Sequence, residues 1–133
     1  MLGACSDKTD DEVRAATTLL LAQAENPSLE QTSRAADRLA RLGRPAIPTI
    51  ESALHTANPT GRKALIMALR KIGDPEAVPL LAHRAQHDPA PDVQREALWT
   101  LKQWAASDNK ALAAAATAAL RAIDEAQKTE IPG

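Results

Sequence analysis

The chain carries the same helix–turn–helix joint twice, about thirty residues apart. Residues 42–48 read LGRPAIP and residues 72–79 read IGDPEAVP. In each copy a glycine can adopt the positive φ that ends a helix, and a proline two residues later fits the first turn of the next helix. A fixed period of this length is typical of stacked helical hairpins, in which each hairpin buries its apolar face against its neighbours. The sequence therefore predicts a repeat architecture.

The apolar residues of the chain are mostly small and aliphatic. Of its 133 residues 44% are hydrophobic, but there is no Phe or Tyr and there are two Trp. Such residues favour closely packed helices over strands. We therefore expect an all-α chain of about seven helices, one amino-terminal helix followed by three antiparallel pairs. Apolar residues recur at matched places in three helices, 30 and 32 residues apart: Ala35, Leu65 and Ala97; Leu39, Leu69 and Leu101; Leu42, Ile72 and Trp104.

The joints and the apolar stripes set the expected domain organisation. The repeat domain covers residues 10–127, with units at about residues 28–58, 59–89 and 90–126. Its amino-terminal helix starts near Asp10 and places Val13, Ala16, either Leu19 or Leu20, and Gln23 at helical spacing. An alanine-rich helix from Lys110 to about Ala126 closes the array after a turn at residues 107–109. We expect residues 1–9 to be a polar tether and residues 128–133 to be a disordered tail.

Two segments resemble a known repeat family. Residues 72–81 (IGDPEAVPLL) and residues 92–98 (DVQREAL) are similar to HEAT-like repeats, in particular to their short class of about thirty residues, first associated with phycobilisome lyases. The resemblance covers about residues 28–126 and implies an α-α superhelix, a HEAT-like solenoid. It implies little about activity, because the family includes scaffolds, inhibitors, lyase subunits and nucleic-acid enzymes.

The single cysteine lies in a distinctive setting. Residues 2–6 (LGACS) resemble the end of a bacterial lipoprotein signal, in which a small residue precedes the cysteine that is cleaved and acylated. This resemblance implies lipidation of Cys5 and a periplasm-facing lipoprotein of the bacterial cell envelope. The charged and apolar segments that precede such a cysteine are not in the numbered chain, and the alternative is a chance cysteine in a cytoplasmic protein. No segment approaches 18 uninterrupted apolar residues, so we expect membrane contact through the lipid anchor only.

The middle of the chain is basic and its ends are acidic. Residues 34–71 hold eight Lys or Arg against two carboxylates, although the whole chain has a net charge of −1. Arg34, Arg38 and Arg41 share one helix face, where Asp37 can pair with one of them. This face could bind an acidic protein surface, or it could be an ordinary solvated face with ion pairs. The net charge argues against binding to nucleic acid.

The two tryptophans have different expected roles. Trp104 lies on the core stripe, whereas Trp99 points roughly opposite to Ala97 and Leu101. With Met67 at the equivalent place in the preceding unit, Trp99 would form an apolar spot that binds a partner. The competing interpretation is a ridge packed between adjacent first helices.

No catalytic motif is present in the sequence: there is no phosphate-binding glycine loop, no Cys-x-x-Cys and no His-Glu-x-x-His. The weak candidates for metal ligands are His55 and the pair His83 and His87, which lie one helical turn apart. The alternative interpretation is that these histidines are solvated. We therefore expect no enzyme activity and no cofactor, and a protein–protein interaction scaffold instead. The alternative is an enzyme or cofactor-binding protein of the HEAT-like family, of the lyase or DNA-repair type.

Overall fold

The regular structure is entirely helical over the residues that the computed structural model describes, 2–25 and 29–130, with side chains described over 9–25 and 29–128. This confirms the all-α prediction. The described part contains seven α-helices and two short 3₁₀ turns, Arg44–Ala46 before α3 and Pro75–Ala77 before α5. The helices are α1 (Leu2–Ala24), α2 (Leu29–Leu42), α3 (Ile47–Thr56), α4 (Pro59–Ile72), α5 (Val78–His87), α6 (Pro91–Ala105) and α7 (Lys110–Glu130).

Both predicted joints have the expected glycine geometry, with positive φ of 69° at Gly43 and 63° at Gly73. Each joint then forms a 3₁₀ turn before its α-helix, rather than starting the α-helix directly at the first proline. The cause is the second proline of each copy. Because Pro48 has no N–H, the carbonyl of Arg44 cannot accept an α-helical hydrogen bond from it and accepts one from Ile47 instead. In the second copy Val78 donates to Pro75 in the same way.

The helices form two compact units, residues 1–72 and residues 73–133. In the first unit α1 contacts α2, α3 and α4, so the amino-terminal helix is part of the core. Gly61 of α4 is buried where α1 approaches closely, and a Cβ built on it would lie 3.0 Å from Leu21 Cδ2. The fully buried large side chains of this unit are Val13, Leu20, Leu39, Ile50, Leu65, Ile66 and Leu69.

In the second unit α5, α6 and α7 all contact one another. Trp104 is buried in this unit, as its place on the stripe predicts. The unit also buries Val78, Leu81, Val93, Ala97, Leu101, Leu112, Ala116 and Ile123.

A polar network holds the joint between α5 and α6. Arg84 Nη1 lies 3.1 Å from Asp88 Oδ2, and the Asp88 side chain is fully buried. The other carboxylate oxygen of Asp88 accepts a hydrogen bond from the Ala90 N–H at 2.9 Å. Gln94 Nε2 donates to the Asp88 carbonyl at 2.8 Å. The burial of this charge is therefore balanced by an ion pair and a backbone hydrogen bond.

The outer helices are longer than the sequence analysis expects. Helix α1 begins at Leu2 rather than near Asp10, so residues 2–9, expected as a tether, have helical backbone. Helix α7 continues to Glu130, past the expected end at Ala126. No proline interrupts either segment, so the backbone can continue the helix. Residues 131–133 of the expected tail lie outside the described residues, and the unit boundaries at residues 28–58, 59–89 and 90–126 stay a prediction.

Candidate protein-binding surface

A cleft of about 480 Å³ lies between α2 and α4 in the first unit. It brings together two of the predicted binding residues, Arg34 and Met67, which are far apart in the sequence. We call it the α2–α4 cleft. Its lining residues are Leu29, Glu30, Ser33, Arg34, Met67, Arg70 and Lys71.

Charged side chains at the α2–α4 cleft form ion pairs, and these pairs lie at the protein surface. Arg34 Nη2 lies 2.6 Å from Glu30 Oε1, and both side chains are exposed. Lys71 Nζ lies 2.7 Å from Asp37 Oδ1, so Asp37 pairs across to α4 rather than with an arginine of its own helix. Exposed pairs of this kind stabilise a fold by little, typically less than about 1 kcal/mol. A partner's carboxylate can therefore replace the internal one at low cost.

The α2–α4 cleft also has an apolar part. Leu29, in the first turn of α2, is 70% exposed. Met67 is partly buried and lines the cleft beside Arg70 and Lys71. Methionine adapts its shape to different apolar partners. The α2–α4 cleft therefore combines an adaptable apolar contact with a basic rim.

A second, smaller groove of about 300 Å³ lies between α1 and α2, and Arg34 lines both the groove and the cleft. We call it the α1–α2 groove. Arg38 lines it, while Arg41 is exposed farther along α2. Neither Arg38 nor Arg41 makes an ion pair with any residue that the structure describes. The other residues lining this groove are Leu19, Gln23, Gln31 and Ala35.

Trp99 lies on α6 in the second unit and is 50% exposed, so half of its side-chain surface is open to solvent. Met67 belongs to the first unit, and the joint apolar spot of these two residues stays a prediction.

The three histidines are all exposed. The rings of His83 and His87 have centroids 5.1 Å apart and are tilted by 49°. His55 lies on α3 in the first unit. Within the described part of the chain, no group of three or more His, Cys, Asp or Glu is arranged to hold a metal ion.

The structure describes only the backbone of Cys5, the candidate for lipidation. The backbone of Cys5 is helical, but its side chain lies outside the described ones. None of the described helices is both long and apolar enough to cross a membrane.

The sequence analysis missed Leu29, Arg70 and Lys71 as members of the surface. A signal existed for the last two, because Met67, Arg70 and Lys71 are spaced by three and four residues and so share a helix face. Their approach to Arg34 could not be predicted, because it depends on how α2 and α4 pack.

The pairs of antiparallel helices and their repeated glycine–proline joints define an α-helical repeat protein. A family model of HEAT repeats matches residues 17–102, which is more than half of the chain. The chain therefore belongs to the HEAT-repeat family. Repeats of this family commonly mediate protein–protein interactions and generally serve as scaffolds. No curated protein and no solved structure matches the chain.

Proposed function

We propose that this protein is a non-catalytic scaffold that binds an acidic protein through the basic face of its first unit. We define this basic face as Arg34, Arg38, Arg41, Arg70 and Lys71. The observation that carries the proposal is the α2–α4 cleft, where three cations surround the partly buried Met67 and the exposed Leu29. Trp99, on the second unit, supplies a separate aromatic contact in this proposal.

The chemistry of the α2–α4 cleft favours a protein over a nucleic acid. Binding to a phosphate backbone requires many cations to neutralise many phosphates, and this chain has a net charge of −1. A protein segment with carboxylates around an aliphatic side chain complements both the cations and the apolar contact. We therefore infer an acidic segment with an apolar anchor as the part of the partner that binds here.

The test is charge reversal on a captured and purified partner. Immobilised full-length protein captures partners from an extract of the source cells, and each purified candidate is titrated by calorimetry. We expect Arg34→Glu and Lys71→Glu each to weaken binding about tenfold, or about 1.4 kcal/mol, because each places a carboxylate against the partner's own. High salt should weaken the wild-type complex by screening the same charges. Trp99→Ala should weaken binding by a similar factor, because it removes the separate aromatic contact.

The matched control is Arg121→Glu, which makes the same charge change on an exposed arginine of α7. It should bind like the wild type. Equal affinities for Arg34→Glu, Lys71→Glu and Arg121→Glu would contradict the basic face as the binding surface. A salt-sensitive shift of DNA by the wild-type protein would instead favour the DNA-repair type of function.

We also propose that an acyl chain on Cys5 tethers the protein to the bacterial envelope, on the support of the lipoprotein-like residues 2–6. The protein made from its own gene in the source cells should incorporate an alkyne-tagged fatty acid and partition into detergent. Cys5→Ser should lose both properties, whereas Ser6→Ala keeps the thiol and should retain them. An unlabelled wild-type protein would rule out the tether.

A further inference from the structure

The α1–α2 groove contains a polar atom that the fold leaves unsatisfied. Gln23, near the end of α1, lines this groove, and its Oε1 is buried from solvent. This oxygen accepts no hydrogen bond from any residue that the structure describes. Among the described side chains, Gln23 Oε1 is the one buried nitrogen or oxygen atom that has no hydrogen-bond partner.

A buried acceptor without a donor destabilises the fold, and most such atoms in folded proteins are paired. An aliphatic residue at position 23 would remove this cost, because it has no polar side-chain atom to leave without a partner. A glutamine here therefore opposes stability, which is a common property of residues kept for binding.

The surroundings of Gln23 define what could satisfy it. Thr32 Oγ1 of α2 donates to the Gln23 carbonyl at 3.0 Å, which fixes the end of α1 against α2. Arg34 and Arg38 line the same groove, with Leu19 as an exposed apolar neighbour. The groove therefore offers two cationic donors and one apolar contact, and the buried Gln23 oxygen becomes a third group if its carboxamide turns toward the groove.

We propose that the α1–α2 groove binds an acidic residue of an extended segment of the protein partner, together with that segment's backbone. The carboxylate of an Asp or Glu pairs with Arg34 and Arg38, and a backbone N–H of the segment donates to Gln23 Oε1. The neighbouring aliphatic side chain packs on Leu19. The terminal torsion of a glutamine is broad, so the carboxamide can turn its oxygen toward the segment. This inference rests on the proposed function and names the groups that the partner presents.

The experiment uses the full chain and a defined probe, the peptide N-acetyl-Ala-Glu-Leu-Glu-Ala amide, titrated into ¹⁵N-labelled protein. We expect shift changes in residues of α1 and α2. Gln23→Met should raise the melting temperature, because it removes the unsatisfied acceptor, and should weaken peptide binding about tenfold, because it removes the hydrogen bond. Substitution of a residue with a purely structural role would not raise the melting temperature and weaken peptide binding at the same time.

The control is Gln103→Met, the same change at an exposed position of α6, which should alter neither property. A lower melting temperature for Gln23→Met, wild-type peptide affinity in that variant, or no shifts in α1 and α2 would each overturn the inference. The proposed function is judged separately by the Arg34→Glu and Lys71→Glu titrations. If those weaken partner binding while Gln23→Met does not, the basic face stands and the role of Gln23 fails.

Discussion

At the scale of single residues, Gly43 shows how one position can determine a chain reversal. Its φ of 69° is combined with a ψ of −143°. This pair differs from the left-handed helical conformation that commonly ends helices, whose ψ is positive. It lies close to a region of backbone conformation that is essentially confined to glycine. The sequence predicts the positive φ, but ψ depends on the direction in which α3 must leave.

Gly43→Ala should therefore destabilise the protein by about 1–3 kcal/mol through backbone strain. Contact with the rest of the fold plays no part, because beyond its two chain neighbours a Cβ on Gly43 would meet no atom within 4 Å. Gly43→Asn should cost as much, since asparagine tolerates the left-handed helical region but not this ψ. Urea denaturation of the three proteins measures the effect. A rescue by asparagine would show that residue 43 has an ordinary left-handed helical conformation.

At the scale of the helices, stability comes from apolar stripes that recur from one helix to the next. Helix α4 carries the densest stripe of the first unit, with Ala64, Leu65, Ile66, Ala68 and Leu69 all buried. It can bury so many residues because α1, α2 and α3 all contact it. Leu69 has no exposed surface, as its place in the repeated columns predicts.

Leu69→Ala should cost about 2–5 kcal/mol, because it removes a fully buried side chain and leaves a cavity. Leu29→Ala is the matched control: the same atoms are deleted from a leucine that is 70% exposed, and the change should stay within about 0.5 kcal/mol. Thermal unfolding followed by circular dichroism compares the two. Similar melting temperatures for both variants would show that Leu69 is not in the core.

The sequence predicts the helices better than the contacts between them. Local chemistry is sufficient for the glycine joints and for Asp74, whose side chain accepts the Glu76 N–H at 2.9 Å. The pairing of Arg84 with Asp88 has a local signal, their spacing of four residues. The burial of Asp88 could not be predicted, because charged residues are expected at the surface and the packing around this joint is not local. In the sequence, Gln23 is recognisable only as a polar residue that interrupts the apolar stripe of α1. The α2–α4 cleft depends on packing between helices, which no local pattern specifies.

At the scale of the whole molecule, the distribution of charge and the helical fold contribute differently to partner binding. The net charge of −1 conceals a basic middle, and the five cations of the basic face belong to α2 and α4 of the first unit. The HEAT-repeat fold supplies broad helical surfaces rather than a closed active site. A partner is therefore expected to be selected by complementary charge over a surface, with affinity that falls as salt rises.

The polar joint between α5 and α6 has a use in protein engineering. The ion pair of Arg84 with Asp88 and the hydrogen bonds that Asp88 accepts from Ala90 and Gln94 all lie within residues 84–94. Designers of tandem arrays need linkers that set the angle between consecutive modules without adjusting the remaining sequence. We expect this short segment to be transferable between hairpins wherever its aspartate is shielded from water.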